Sequence, residues 1–396
     1  MNKRFLFAVI PEKGHINPAI APAKWLRGRG HDVAFTATHD VSAHLKAAGF
    51  EDFIPAGHEV TPPADANRGK FFAGKVRDRE WLRGWIKTLL LDPVPGQVEV
   101  YRGILRDFKP DVLVADPMVY AAILAAHGER LPWASVSNSL NPVLPEDLDS
   151  ELLATNRWLA PDRDRLFARY GVKARFRGCD CLSPHLTVAF STEEFTGGPV
   201  EGVHQVGPSI PGGPRGDECD FPWDRLSRTQ PVVYMSLGSQ IFHQPRMFRT
   251  AIEAVRGLPA QLVLTASELL GSDLLGELPT NVLAVRYTPQ LKLLPRVSAM
   301  ITHGGANSVM EALASGLPLL ITPICNDQFH NAHFVEKSGV GIAMDLGSAT
   351  PEECRGALQH LLAPGRYREN AARVGESYRA HDGGAETGRL LEGLVL

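Results

Sequence analysis

The chain has 396 residues, of which 44% are hydrophobic and 21% charged, and its formal net charge is −3. That length exceeds one ordinary core and suits two domains of a globular protein. The near-neutral charge gives no basis for a nucleic-acid or anionic-membrane partner, and five cysteines, an odd number, argue against a disulfide framework.

The opening MNKRFLFAVI is basic and then apolar, as a signal peptide is. The run is short, however, ends in Pro11-Glu12-Lys13 and lacks a small-residue cleavage pattern. Phe5 to Ile10 reads instead as a strand buried on both faces. Ile16, Ile20, Ala23 and Leu26 then recur at helical spacing, with Pro18 suited to the first turn. Val33, Phe35 and Ala37 alternate as a second strand, which makes a βαβ unit and predicts a parallel sheet. His15 falls in the loop leaving the first strand's carboxyl end, where open α/β sheets bind ligands. On position alone, a solvated or helix-capping histidine is an equal reading.

Residues 57 to 100 are less regular. Trp81, Trp85, Leu89 and Leu90 mark an amphipathic helix, whose aromatics either belong to the core or line an apolar pocket. Helix 97–108 leads into the strand Val112 to Ala115, which ends at Asp116 on the same rim as His15. Asp116 either orients that imidazole or caps the backbone after it. Trp133 to Ser137 is a further strand, running into Asn138. A charged helical region extends from Pro145 to about Tyr170, and strands follow at Leu186 to Phe190 and Val203 to Val206. Cys179-Asp180-Cys181 has the wrong spacing for a zinc site. Pro208 to Asp220 is rich in Gly, Pro and charge, including Asp217-Glu218-Cys219-Asp220, and reads as a solvated linker.

A second βα series begins with the strand Val232 to Met235 and the loop Ser236-Leu237-Gly238-Ser239. Leu262 to Leu264 and Val282 to Val285 extend the sheet, and Tyr287-Thr288-Pro289-Gln290 leaves the latter at its carboxyl end. Val297 to Ile301 is a buried strand, followed by His303-Gly304-Gly305 and a helix from Asn307 to Ser315. The glycines allow close backbone approach, and the helix start offers unpaired N–H groups and a positive dipole end, which together make a phosphate site. The dipole contributes only about 0.3–1 kcal/mol, so His303, Asn307 and Ser308 must supply much of the grip. Leu319 to Ile321 and Gly341 to Met344 complete the sheet. No GxGxxG, Walker A or HExxH pattern occurs. No apolar run approaches membrane-spanning length, so a cytoplasmic protein is expected.

With these motifs together the chain resembles the UDP-glycosyltransferases of the GT-B fold, closest to their macrolide and natural-product branch. The resemblance covers nearly the whole chain, most strongly Tyr287 to Asn331 and weakly residues 57–95 and 140–185. It implies an α/β architecture of two Rossmann-like, doubly wound parallel-sheet domains facing across a cleft. Residues 1–207 would bind acceptor, 208–222 would link, 223–378 would bind nucleotide sugar, and a terminal helix in 379–396 would pack back on the first domain. The family pattern places Tyr287 on the nucleotide base, with Thr288 and Gln290 holding the nucleoside. His303, Gly305, Asn307 and Ser308 would hold the diphosphate, with Gly238 and Ser239 as its second contact. Glu311 would accept from ribose hydroxyls, and Asp327 and Gln328 would read the sugar. His15 matches the general base and Asp116 its orienting acid. Phe71, Phe72, Trp81, Trp85 and Asn138, with Trp158, are candidates for an acceptor pocket.

The activity so implied is inverting, metal-independent hexosyl transfer, with no cofactor beyond the nucleotide-sugar cosubstrate. UDP-glucose is the expected donor, and the acceptor a small aromatic, polyketide or macrolide-like molecule. The implied state is a monomer or homodimer without membrane anchor. Tyr287 stands where the family usually has Trp, which leaves uracil and thymine both open. A TDP-deoxysugar donor is the alternative. From other classes come a nucleotide-sugar epimerase, which the His15–Asp116 pair opposes, and a non-catalytic nucleotide-sugar-binding or activator protein.

Overall fold

The computed structural model describes residues 2–59, 66–76, 78–145, 147–238 and 242–395. The first domain contributes β1 (Arg4–Ala8), β2 (Asp32–His39), β3 (Phe53–Glu59), β4 (Val112–Ala115), β5 (Trp133–Ser137), β6 (Arg175–Arg177), β7 (Asp180–Leu182), β8 (Leu186–Ala189) and β9 (His204–Gln205). Seven of them form a parallel sheet in the order β3-β2-β1-β4-β5-β8-β9, and β6 and β7 make a separate antiparallel pair. The second domain contributes β10 (Val232–Ser236), β11 (Gln261–Thr265), β12 (Val282–Val285), β13 (Ala299–Thr302), β14 (Leu319–Ile321) and β15 (Gly341–Ala343). Their order is β12-β11-β10-β13-β14-β15, again parallel throughout. The continuous apolar runs follow from helices covering both faces of each sheet. In β1, Phe5 and Phe7 pack into one core cluster while Leu6 and Ala8 pack into another. Phe7 stacks on Phe35 with ring centroids 5.1 Å apart.

Strand order reverses between β1 and β4 and again between β10 and β13, and ligands of such sheets bind at these switch points. Register makes the switch points sharp. Ala8 lies opposite Ala115, so the chain leaves β1 and β4 at one level toward His15 and Asp116. Ser236 likewise lies opposite Thr302, which brings the Gly238 and His303 loops together.

Three features differ from the sequence reading. First, the helix after β1 spans Lys13–Gly28, so His15 sits in its first turn and not in a preceding loop. Pro18 and Pro22 both lie inside that helix. Each lacks the N–H that would bond the carbonyl four residues earlier, which releases the carbonyls of Gly14 and Pro18. Asn307 Nδ2 donates to the first at 2.9 Å, and Ser209 Oγ to the second at 2.6 Å.

Second, the 208–220 stretch is not a solvated tether. Ser209 and Arg215 are buried, and Lys24 donates to the Pro214 carbonyl. A guanidinium is buried only when paired, and the partner of Arg215 is Glu311, far along the chain. Asp217 accepts from Arg215 Nε as well, and Glu218 from the Arg215 amide.

Third, the small β6–β7 pair has no counterpart among the predicted elements. Between its neighbours, Asp180 is fully buried and accepts from Ser137 Oγ at 2.5 Å and Asn141 Nδ2 at 2.8 Å. Burial pushes its carboxyl up to about 7. Cys179 and Cys181 are free thiols.

The last helix, Gly383–Gly393, lies against helix Lys13–Gly28 of the first domain. The approach needs glycine: a Cβ on Gly388 would come 2.2 Å from the Trp25 ring, and one on Gly384 2.6 Å from the Ala21 Cβ. Glu392 then pairs with His31 Nε2 at 3.0 Å and with Arg29. Among the described residues no helix is long and apolar enough to cross a membrane.

Candidate active site

The first-domain side of the cleft is built on Asp116. Its Oδ2 accepts from His15 Nδ1 at 2.6 Å and from Asn138 Nδ2 at 3.3 Å, while its Oδ1 accepts from the Met118 amide at 3.0 Å. The orienting and capping readings of Asp116 are thus both realised, one on each oxygen. The Nδ1 bond leaves Nε2 as the imidazole's free nitrogen. Burial alone would lower the His15 pKa, but the Asp116 charge and hydrogen bond, helped by Glu12 and Asp327, bring it up to about 9. Phe7, Val114, Val136, Asn138 and Phe190 line a cavity together with His15 and Asp116.

Across the cleft, helix Ala306–Ala314 starts at Gly305, which has no side chain to cap its first amides. Asn331 Nδ2 braces the loop before it by donating to the Gly304 carbonyl at 2.6 Å. His303 is enclosed by glycines. A Cβ on Gly238 would stand 2.7 Å from its Cε1, and one on Gly305 2.6 Å from its Nε2. Burial holds His303 down to about 4, so at neutral pH it is an uncharged hydrogen-bonding group. Asn307, four residues further on, donates to Gly14 next to His15. The phosphate-type helix start and the His–Asp pair therefore face each other at close range. Asn138 and Asn307 line a shared cavity with Phe190, Met310, Asn331 and Tyr378.

Tyr287 is exposed, with its ring open to a stacking partner. Below it the polar groups are wired together. Thr288 Oγ1 meets Thr265 Oγ1 at 2.6 Å, Thr265 Oγ1 meets the Tyr234 hydroxyl at 3.1 Å, and that hydroxyl donates to Gln290 Oε1 at 3.2 Å. Gln290 Nε2 donates to Glu311 Oε2 at 2.7 Å. Asp327 lies within electrostatic reach of His15, and its carboxyl is raised by burial against the opposing pull of that histidine. Gln328 is turned inward: its Oε1 accepts from the amides of Ile324 at 2.8 Å and Cys325 at 3.1 Å.

The expected acceptor aromatics are placed apart from these cavities. Trp81 and Trp85 stack on each other at 6.0 Å, with Phe71 edge-on to Trp81, and both tryptophans pack against the first-domain core. Trp158 is half exposed beneath Arg83. Of that set only Asn138 lines the cavities described. Ser239 and the side chain of Phe72 lie outside the described residues. Sequence reasoning missed Tyr234, Thr265 and Arg215. A hydroxyl-tipped aromatic in an otherwise apolar strand could have flagged Tyr234, whereas Arg215 gave no local signal.

A cleft between two such domains is the GT-B arrangement of sugar-transferring enzymes. The structure resembles the glycotransferase of kitacinnamycin with a TM-score of 0.78 at 22% identity, covering 100% of both chains. Residues 222–382 match the family model of UDP-glucoronosyl and UDP-glucosyl transferases. Over 436 residues the chain is 27% identical to 4'-demethylrebeccamycin synthase from Lentzea aerocolonigenes, covering 100% of both. It is also 27% identical to demethyllactenocin mycarosyltransferase from Streptomyces fradiae, covering 98% of this chain and 86% of that one. The chain is thus similar over its whole length to sugar-transferring enzymes, and its residues 222–382 to the UDP-glycosyltransferase family.

Proposed function

We propose that this enzyme transfers a hexose, with inversion, from a nucleoside diphosphate sugar to a hydroxyl of a small apolar natural product, with UDP-glucose as donor. The observation that carries the reading is the 2.6 Å His15–Asp116 bond set opposite the uncapped start of helix Ala306–Ala314. The names of the relatives, a demethylrebeccamycin synthase and a demethyllactenocin mycarosyltransferase, support a natural-product acceptor.

In the proposed step His15 Nε2 removes the acceptor hydroxyl proton as that oxygen bonds to C1 of the sugar. The bond from C1 to the diphosphate oxygen breaks, and the nucleoside diphosphate leaves from the opposite face. A positioned base of this kind is worth about 10²–10⁴ in rate. The departing charge meets the helix-start amides, Asn307, Ser308 and an N–H of His303, a preorganised set of donors that requires no metal. Tyr287 would stack on the base and Glu311 accept from ribose.

A TDP-deoxysugar donor is the second reading. It is favoured by the inward turn of Gln328, which leaves Asp327 as the acid at the sugar position. Purified protein given UDP-glucose, a chelator and a panel of phenols and polyketides is expected to release UDP and add one hexose mass to an acceptor. TDP-deoxysugars in parallel reactions decide between the donors. Replacing His15 by Ala should stop transfer and leave UDP binding nearly unchanged; full activity in that variant excludes the base assignment.

A further inference from the structure

The linker delivers a buried guanidinium to the nucleoside end of the donor site. Arg215 Nη1 donates to Glu311 Oε1 at 2.5 Å, and Nη2 to Oε2 at 3.4 Å. On its other edge, Nε meets Asp217 Oδ1 at 2.9 Å and Oδ2 at 2.8 Å. Glu218 fixes the backbone beneath, accepting from the Arg215 amide at 2.9 Å and the Gly216 amide at 3.1 Å. The side chains of Arg215 and Glu311 are 5% and 1% exposed, so this is a dry pair rather than a surface contact. Through Gln290 the same Glu311 closes the network that starts at Thr288.

We propose that Arg215 is a positioning residue for nucleoside recognition, holding Glu311 turned so that its remaining acceptor positions meet the ribose hydroxyls of the donor. The proposal rests on Glu311 being the ribose acceptor. A carboxylate offers about four acceptor positions. Arg215 and Gln290 fill one strong position on each oxygen, which fixes the plane of the group and leaves the rest for hydroxyl donors. Without the guanidinium, Glu311 would be a buried carboxylate with no cation, a state that proteins avoid by neutralising the group or letting water in. Either outcome removes a fixed hydroxyl acceptor. The fork geometry also matters, because a lysine supplies the charge at one point and cannot hold both oxygens. The linker meanwhile grips the first domain through Ser209 and Lys24, so the acceptor of the second domain is set by a segment anchored on the first.

Calorimetric titration with UDP and with 2',3'-dideoxyuridine diphosphate reads the hydroxyl contact directly. Wild-type protein should prefer UDP by about tenfold, the scale of one or two hydrogen bonds to a charged group. In Arg215→Met the preference should fall to near unity, with the donor KM raised about tenfold and kcat at saturating donor little changed. Arg215→Lys should recover part of the preference. A merely structural brace would lower the melting temperature and leave the hydroxyl preference intact. If Arg215→Met does not fold, Arg215→Lys is read alone: a preference reduced at least about threefold supports the role, and an unchanged one overturns it. Wild-type protein with no preference for UDP overturns the assignment of Glu311 itself. A wild-type preference that survives in every folded Arg215 variant overturns only the role of Arg215.

Discussion

At pH 7 the free His15 is protonated, because Asp116 outweighs burial and brings its pKa up to about 9. In the proposed step only the neutral form can take the proton of the acceptor hydroxyl. We therefore expect kcat/KM to climb with pH along a limb that levels near 9, as a pH–rate series would show. Replacing Asp116 by Asn removes the carboxylate charge, so the limb should move to lower pH while the plateau drops by about 10²–10⁴ with the lost orientation. A limb that stays in place would show that Asp116 does not hold the charge. The same pair affects stability with a definite sign. A histidine whose folded pKa is raised stabilises the fold fully below its ordinary value of 6.5 and loses that contribution as pH rises through about 9. The alkaline range that would free the proposed base is thus the range in which this pair stops supporting the fold. Gly305 offers a second test. Its backbone is unstrained, so Gly305→Ala acts only through the Cβ that would press on His303 at 2.6 Å. We expect donor KM to rise about tenfold or more, together with a fall in melting temperature from the overpacked contact.

The elements show what the sequence could disclose and what it could not. Both sheets were legible because strands buried on two faces become short apolar runs, as in Phe5 to Ala8 and Ala299 to Ile301. The phosphate-type helix was legible from the glycines before it, and the observed Ala306–Ala314 differs from the predicted span by one residue at each end. Side-chain partnerships across long separations were not. Nothing near Arg215 announces that Glu311 will bury it, and Gln328 gives no sign that it will tie its own loop. Pro18 carried a signal of another kind. Its position in the helix decides which carbonyl is left over, and the position was misplaced by starting the helix late. Pro18→Ala restores an N–H for the Gly14 carbonyl, which should then stop accepting from Asn307. An interior proline costs a helix about 3 kcal/mol, so the melting temperature should not fall, yet kcat should drop roughly tenfold as the cleft loses its register. Calorimetry and initial rates check the two halves of that expectation.

On the scale of the molecule, the chain crosses from the first domain to the second and returns to the first with helix Gly383–Gly393. The return depends on glycines that let Trp25 lie against the helix backbone. Overpacking a close contact costs about 1–3 kcal/mol, so Gly388→Ala should lower the melting temperature by several degrees, seen by calorimetry. An unchanged temperature would mean that the terminal helix is not docked on Trp25 in solution. The carbonyls freed by Pro18 and Pro22 have a consequence for building hybrids. Their donors, Asn307 and Ser209, come from the second domain and from the linker. A chimera that takes its donor half from a related enzyme inherits a seam already furnished with two acceptors on the recipient side. If the graft brings no side-chain donor at those two positions, the Pro18 carbonyl loses its side-chain donor and the Gly14 carbonyl keeps only the 3.5 Å contact from Asn138 Nδ2. A crossover between Ser209 and Arg215 therefore keeps Ser209 with its acceptor and leaves only Asn307 to be matched by the incoming half.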